Sequence, residues 1–245
     1  MTAPLSLKAR MTYTAHLFKA VTRQHHIPLR PLFAEYLPRD GIVIDVGAHA
    51  GQFTKLFSAL VPDGHVYAFE PGGYALSILK KVHLLRRLKN VTIVASALGD
   101  SDGEAVLKVP VKESGSIAFG LSSVGKMQNN SRAIRTETIP VTTLDGFAEQ
   151  NGLTRLDVIK ADIEGWELRM LEGARQVLQK FRPCLAIEAA DHMLQRAGDT
   201  REKLATFLRE MNYTAFIYDQ DGTLTPDDGR DADLFCIPVE KQLSS

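Results

Sequence analysis

The order of apolar runs along the chain predicts an α/β fold built on a mostly parallel sheet. Three observations carry that reading. Residues 41–46, 65–70, 91–95, 156–161 and 185–187 are short apolar runs, most of them separated by helix-like stretches. Unbroken apolar runs suit strands buried on both faces, and strands alternating with helices imply parallel crossover units. The first two runs also carry acids at their ends, Asp45 and Glu70, and the first leads into a turn with glycines at 47 and 51.

Taken in order, residues 1–40 read as an N-terminal helical cap, with helices at 12–21 and 31–37; Pro31 suits a first helical turn. This segment holds Lys8, Arg10, Lys19, Arg23, Arg30 and Arg39 against only Glu35 and Asp40. Residues 41–245 form the second unit. A helix is expected from Gly51 to about Leu60, a turn at Pro62-Asp63-Gly64, and a basic helix over about 74–88. Residues 101–143 break the rhythm: β segments at 105–111 and 138–143 flank a Gly/Ser/Asn-rich stretch, 113–132, expected to be mobile in the free protein and to form part of a ligand pocket. The rhythm resumes with a helix over 166–179 and another over about 200–211. Strands at 213–218 and 234–239 close the chain around a turn at Asp221-Gly222.

Bulk properties narrow the partners. Lys and Arg number 29 and Asp and Glu number 29, so no net charge drives binding to nucleic acid. Cys184 and Cys236 lie in apolar runs and read as buried free thiols. The absence of a long apolar run or a signal-peptide core predicts a cytoplasmic protein without stable membrane insertion.

The turns point to chemistry. In open α/β sheets, ligands bind beyond the carboxyl ends of the strands. Glu70 has the placement of an acid that accepts hydrogen bonds from ribose hydroxyls, which indicates an adenosine-containing cofactor. The turn Gly47-Ala48-His49-Ala50-Gly51 lacks the middle glycine of a dinucleotide fingerprint. His49 and Ala50 occupy the room a pyrophosphate needs, and Asp45 adds negative charge. S-adenosylmethionine, with its ammonium and sulfonium, fits better than NAD. Leu98 and Asp100, after the third strand, are candidates for the adenine end, although Asp100-Ser101-Asp102-Gly103 also reads as a plain turn. In Lys160-Ala161-Asp162-Ile163-Glu164-Gly165-Trp166-Glu167, Asp162 and Glu164 are two apart, so extended backbone would point both the same way. Glu167 reads as a favourable acid at a helix N-terminus. Carboxylates and a histidine just beyond the strand ends could take up a proton at such a site. The candidates are Glu164, Glu188 and His192. The acids Asp162, Glu164, Glu188 and Asp191 with His192 leave a divalent-ion alternative open, although no metal is expected.

Three spaced motifs resemble the FkbM-type methyltransferases: residues 44–51, 68–71 (Ala-Phe-Glu-Pro), and 159–167, with Arg182-Pro183 to Glu188 continuing the match. The resemblance spans roughly 41–190. It implies a class I, Rossmann-like fold: a seven-stranded mostly parallel sheet with helices on both faces. It also implies S-adenosyl-L-methionine as cofactor and O-methylation of a sugar, glycolipid or secondary-metabolite hydroxyl. By position, Gly47, Ala48 and Gly51 would line the methionine moiety, with Asp45, His49 and Pro71 nearby. Glu70 would hold the ribose, Leu98 and Asp100 the adenine end, and Asp162 the ammonium or reacting centre. His49 departs from the Asn often found there, and Ala161 and Trp166 depart within the third motif. The rival readings are an NAD-type oxidoreductase and a non-catalytic binding protein. The partner expected is a small-molecule or glycan acceptor, not nucleic acid. The oligomeric state stays open, with a homodimer as one option.

Overall fold

A computed structural model describes residues 7–110, 123–124 and 134–242. In chain order, α1 is Leu7–Thr22, a 3-10 turn spans Ile27–Leu29, and α2 is Arg30–Tyr36. There follow β1 (Ile42–Val46), α3 (Gln52–Leu60), β2 (His65–Phe69), α4 (Gly73–Arg86) and β3 (Val91–Val94). An inserted section holds β4 (Ala97–Leu98), β5 (Gly103–Pro110), β6 (Ser123–Val124) and β7 (Ile134–Thr142). Then come α5 (Leu144–Gln150), β8 (Val158–Ala161), α6 (Glu167–Glu172), α7 (Arg175–Phe181) and β9 (Cys184–Ile187). The chain continues through α8 (Asp191–Ala197), α9 (Arg201–Glu210), β10 (Tyr213–Tyr218), β11 (Leu224–Pro226), β12 (Leu234–Pro238) and α10 (Val239–Gln242).

The main sheet has the order β11-β10-β12-β9-β8-β1-β2-β3. The five strands from β9 to β3 are parallel, and β12, β10 and β11 join antiparallel. Seven of these strands are those expected. The eighth, three-residue β11, is added at the edge beyond the Asp221-Gly222 turn. Cores lie on both faces. One packs Phe147, Leu168, Met170, Leu204 and Phe207 against the sheet; the other packs Phe33, Phe53, Phe57 and Leu79. Residues 27–37, read from sequence as part of a cap, contribute Leu29, Leu32, Phe33 and Leu37 to this second core. Phe33 is fully buried, edge-to-face with Phe57 at 4.9 Å. Lys55 of α3 donates to the carbonyls of Ala20 and Arg23 at 2.6 Å each, tying the end of α1 to the fold. Both cysteines are free and buried.

The helices depart from expectation in two ways. The stretch 166–179 is two helices, because Gly173-Ala174 interrupts it and Asp145 caps the new start by accepting from Gln176 and Val177 N–H at 3.0 and 2.8 Å. α5, α8 and α10 have no counterpart in the sequence reading. The insertion forms a second sheet, β4-β7-β5-β6, in which β5 and β7 pair antiparallel over eight residues each. The stretch expected to be mobile, 113–132, lies outside the described residues apart from β6.

Candidate active site

A cavity of about 380 Å³ opens beyond the carboxyl ends of β1, β2 and β8, within the ~300–1,000 Å³ range of small-molecule sites. Its lining brings together Asp45, Gly47, Ala48, His49, Glu70, Pro71, Leu98, Asp162 and Glu164, all chosen from sequence.

The β1 turn is built by backbone bonds. Gly47 and Ala48 N–H both donate to the Phe69 carbonyl, at 3.1 and 2.9 Å. Gly47 has φ +74°, and a Cβ there would run into the Asp162 backbone. His49 also takes positive φ, and its N–H donates to Glu70 Oε2 at 2.8 Å. The other Glu70 oxygen accepts from Gly72 N–H at 2.8 Å. Burial pushes Glu70 up to about 7 despite those amides, and pushes the His49 imidazole down to about 4. Gly51 has a different role from that expected. It does not line the cavity; it starts α3 at φ +79°, and a Cβ there would press on Leu79 at 2.8 Å. Close packing of α3 on α4 explains it better than cofactor contact.

The residues after β8 correct one inference. The strand stops at Ala161, so Asp162 and Glu164 do not share an extended backbone. Glu164 sits at φ +58° and Gly165 at φ +107°, and this tight turn delivers both acids to the cavity. Glu167 is more than a helix-dipole acid: it is buried, and its carboxylate accepts from Ile163 N–H at 2.9 Å, clasping the turn. Glu164 faces Arg196 at 3.7 Å.

A buried lysine, missed by the sequence reading, organises this end. Lys160 is paired with Asp45 in the β1–β8 register. Its Nζ lies 3.1 Å from Asp162 and 4.9 Å from the Phe53 ring centre. Burial alone would lower its pKa, but the charges of Asp162 and Asp45 more than offset this, so it stays protonated. A lysine inside the apolar run 156–161 was the available signal. Asp45 is fully buried; one oxygen accepts from Thr54 at 2.6 Å, and Oδ1 has no hydrogen-bond partner among the described residues.

A second cavity of about 530 Å³ adjoins the first and shares His26, Phe53, Lys160 and Asp162 with it. Glu188 after β9 lines this second space, with Tyr218 and Asp233. Burial, then the Asp162 charge beside it, pushes Glu188 up to about 9, while Lys160 holds Asp162 low. Asp162 and Glu188 therefore hold one proton between them at neutral pH. His26 stacks on Phe53 at 4.0 Å, and burial lowers its pKa.

Besides Gly51, three expected residues are not brought to the site. His192 is exposed on α8, 3.9 Å from Asp231, and lines a separate depression with Asp191, Arg201 and Asp231. Asp191 is turned away as well: its carboxylate accepts from Arg201 N–H at 3.0 Å, tying α8 to α9. Asp100 does not line the cavity; it is turned to Ser101 and, at 3.5 Å, to Arg169. The wall near Leu98 comes instead from Ser96, Ala97, Trp166 and, across the second sheet, Leu107, Val109 and Glu137. Among the described residues no group of three or more His, Cys, Asp or Glu is arranged to hold a metal ion.

The strand order and the cavity at the β1–β2–β8 edge define a class I methyltransferase fold. The methyltransferase FkbM domain matches residues 45–215, and the chain belongs to this family. It is 27% identical over 147 residues to Methyltransferase 1 of Beauveria bassiana, covering 56% of this chain and 59% of that protein. It is 25% identical over 159 residues to Methyltransferase sdnD of Sordaria araneosa, covering 56% and 61%. The chain thus spans about three-fifths of the length of these relatives. The crystal structure of an FkbM methyltransferase from Methylobacillus flagellatus superposes with a TM-score of 0.52 at 17% identity, over 93% of this chain and 58% of that one.

Proposed function

We propose that the protein transfers a methyl group from S-adenosylmethionine to a hydroxyl of a sugar, glycolipid or secondary metabolite. One observation carries this reading: a single cavity joins the Gly47–His49 turn, Glu70 and the Asp162 end. Bound there, S-adenosylmethionine would supply an electrophilic methyl on a sulfonium. Glu70, already fixed by two backbone amides, keeps lone pairs for the ribose hydroxyls. Asp45, Asp162 and Lys160 carry two acids against one base, so a cationic end suits the methionine region and a pyrophosphate does not. Leu98, Leu107 and Val109 offer apolar surface for the adenine.

The acceptor enters the second cavity in this reading. Glu188 takes the hydroxyl proton once the pair it forms with Asp162 has given up its own. A cation bound beside Asp162 and Glu188 favours that release, because it stabilises the ionised pair. Glu164 lines the first cavity close by and has a secondary place. The matched family lends no support to a nicotinamide oxidoreductase.

Calorimetry with S-adenosylmethionine, S-adenosylhomocysteine and NAD tests the cofactor, and S-adenosylhomocysteine release over a panel of sugars, glycolipids and natural-product alcohols tests the acceptor. Tighter binding of NAD would overturn the reading. Glu70→Ala should weaken S-adenosylmethionine binding by about 1.5–3 kcal/mol, the scale of hydrogen bonds to a charged group.

A further inference from the structure

The chain has no net charge, yet residues 1–34 and 71–99 contain no Asp or Glu. These two stretches hold α1 and α4, and the fold packs the helices together. Tyr13 shares a hydrogen bond with Ser77 at 3.1 Å and lies edge-to-face on Tyr74 at 5.6 Å, and Lys81 sits over the Tyr13 ring. Leu17, Ala20, Ile78 and Val82 fill the seam between them. The outward faces therefore adjoin. Arg10, Lys19 and Arg23 are exposed on or just after α1, and Lys80, Lys81, Arg86 and Arg87 on or just after α4. None of these seven takes part in an ion pair among the described residues. Glu137, at the cavity end of α4, is engaged by Gly73 N–H and faces Arg135.

The same faces carry large apolar side chains. Met11 and Phe18, one heptad apart on α1, are 67% and 69% exposed, and Leu84 and Leu85 on α4 are 73% and 59% exposed. A face that only has to be soluble gains nothing from four such residues. A polyphosphate partner would use the charges and leave the apolar groups in water. Basic residues interleaved with exposed Phe, Met and Leu suit a surface that is anionic at its headgroups and apolar just beneath.

We infer that the α1–α4 face is a peripheral docking surface for an anionic lipid bilayer. Docking is reversible and lateral: no described helix is long and apolar enough to cross a membrane. It is also linked to the cavity, because Tyr74, which lines it, bonds His16 of α1 at 2.9 Å. The inference does not depend on the acceptor proposed above.

Co-sedimentation of the full chain with vesicles tests it. The protein should pellet with phosphatidylglycerol–phosphatidylcholine vesicles and not with phosphatidylcholine alone, and added salt should release it. Each of Lys80→Gln, Lys81→Gln and Arg86→Gln should weaken binding about five-fold. Phe18→Ser combined with Leu84→Ser should weaken it by about tenfold or more while leaving the melting temperature near wild type, since both side chains are exposed. No binding to anionic vesicles would overturn the inference. Equal binding to duplex DNA, unaffected by the apolar changes, would overturn it in favour of a polyanion site. A dimer in sedimentation equilibrium, dissociated by the apolar pair and indifferent to vesicles, would assign the face to a second copy of the chain.

Discussion

The carboxyl ends of β1–β2 and of β8–β9 carry the same residue type, acids at the cavity mouth, and hold it in opposite ways. At β2, Glu70 faces N–H donors from His49 and Gly72. At β8–β9, Asp162 and Glu188 face each other, with one lysine between the acids of β1 and β8. Donors around a carboxylate prepare it to hold neutral hydroxyls. A second carboxylate beside it makes the pair a holder of protons. The two regions show that an acid at a strand end says where a site is, while the neighbours of that acid say what it does.

The largest test of this contrast is Lys160→Met, which keeps the stem and removes the charge. It leaves Asp45 and Asp162 without their shared cation, and loss of one partner from a buried charge set costs about 3–5 kcal/mol. Urea denaturation should show a midpoint lowered to match; an unchanged midpoint would mean the lysine is not the organiser of this end. Glu188→Gln comes next. It should lower turnover by about 10²–10⁴-fold, the contribution of a lost general base, with S-adenosylmethionine affinity nearly intact. Loss of affinity in place of turnover would make the β8–β9 acids binding groups and erase the contrast.

A pH series sharpens the comparison further. Glu188 is pushed up to about 9 in the fold from about 4.5 in the unfolded chain, and Glu70 and Glu167 to about 7. Those three acids keep protons in the fold that the unfolded chain has released, so their contribution is full below about pH 4.5 and is lost as pH rises toward 9; His49, pushed down to about 4, acts in the opposite sense below its ordinary 6.5, and Lys55, pushed down to about 8, does so above 8. Melting temperatures of the free protein should decline between about pH 6.5 and 8, where the acids act unopposed, and Glu188→Gln should flatten the decline. The smallest effect is expected at the residue that left the site. His192→Ala should change stability by no more than about 0.5 kcal/mol and leave turnover at wild type, since the imidazole is exposed on α8. A large loss of turnover would return it to the catalytic group.

What could be read from the chain alone follows the same division. The buried parallel strands were legible because their apolar runs are continuous, and the first-cavity acids because they terminate those runs. Glu188 was legible for that reason too. His192 misled because five residues past a strand end leads into a helix, and Asp191 uses its carboxylate to hold α9. The β8 turn was placed correctly on a wrong backbone: no two-residue spacing reveals that Glu164 takes φ +58°. Leu107, Val109 and Glu137 belong to the inserted section, and the β5–β7 pairing brings them over the cavity. Lys160 was visible as a charge in an apolar run, but its register opposite Asp45 was not.

The wall between the two cavities has a kinetic signature. His26, Phe53, Lys160 and Asp162 border both spaces, so a molecule settling in one changes the charge and shape offered to the next. Reciprocity then requires that whatever factor one occupant imposes on the affinity of the other is returned unchanged. Initial-rate plots with both concentrations varied should give intersecting lines that meet off the abscissa, the mark of two sites that read each other through a common partition.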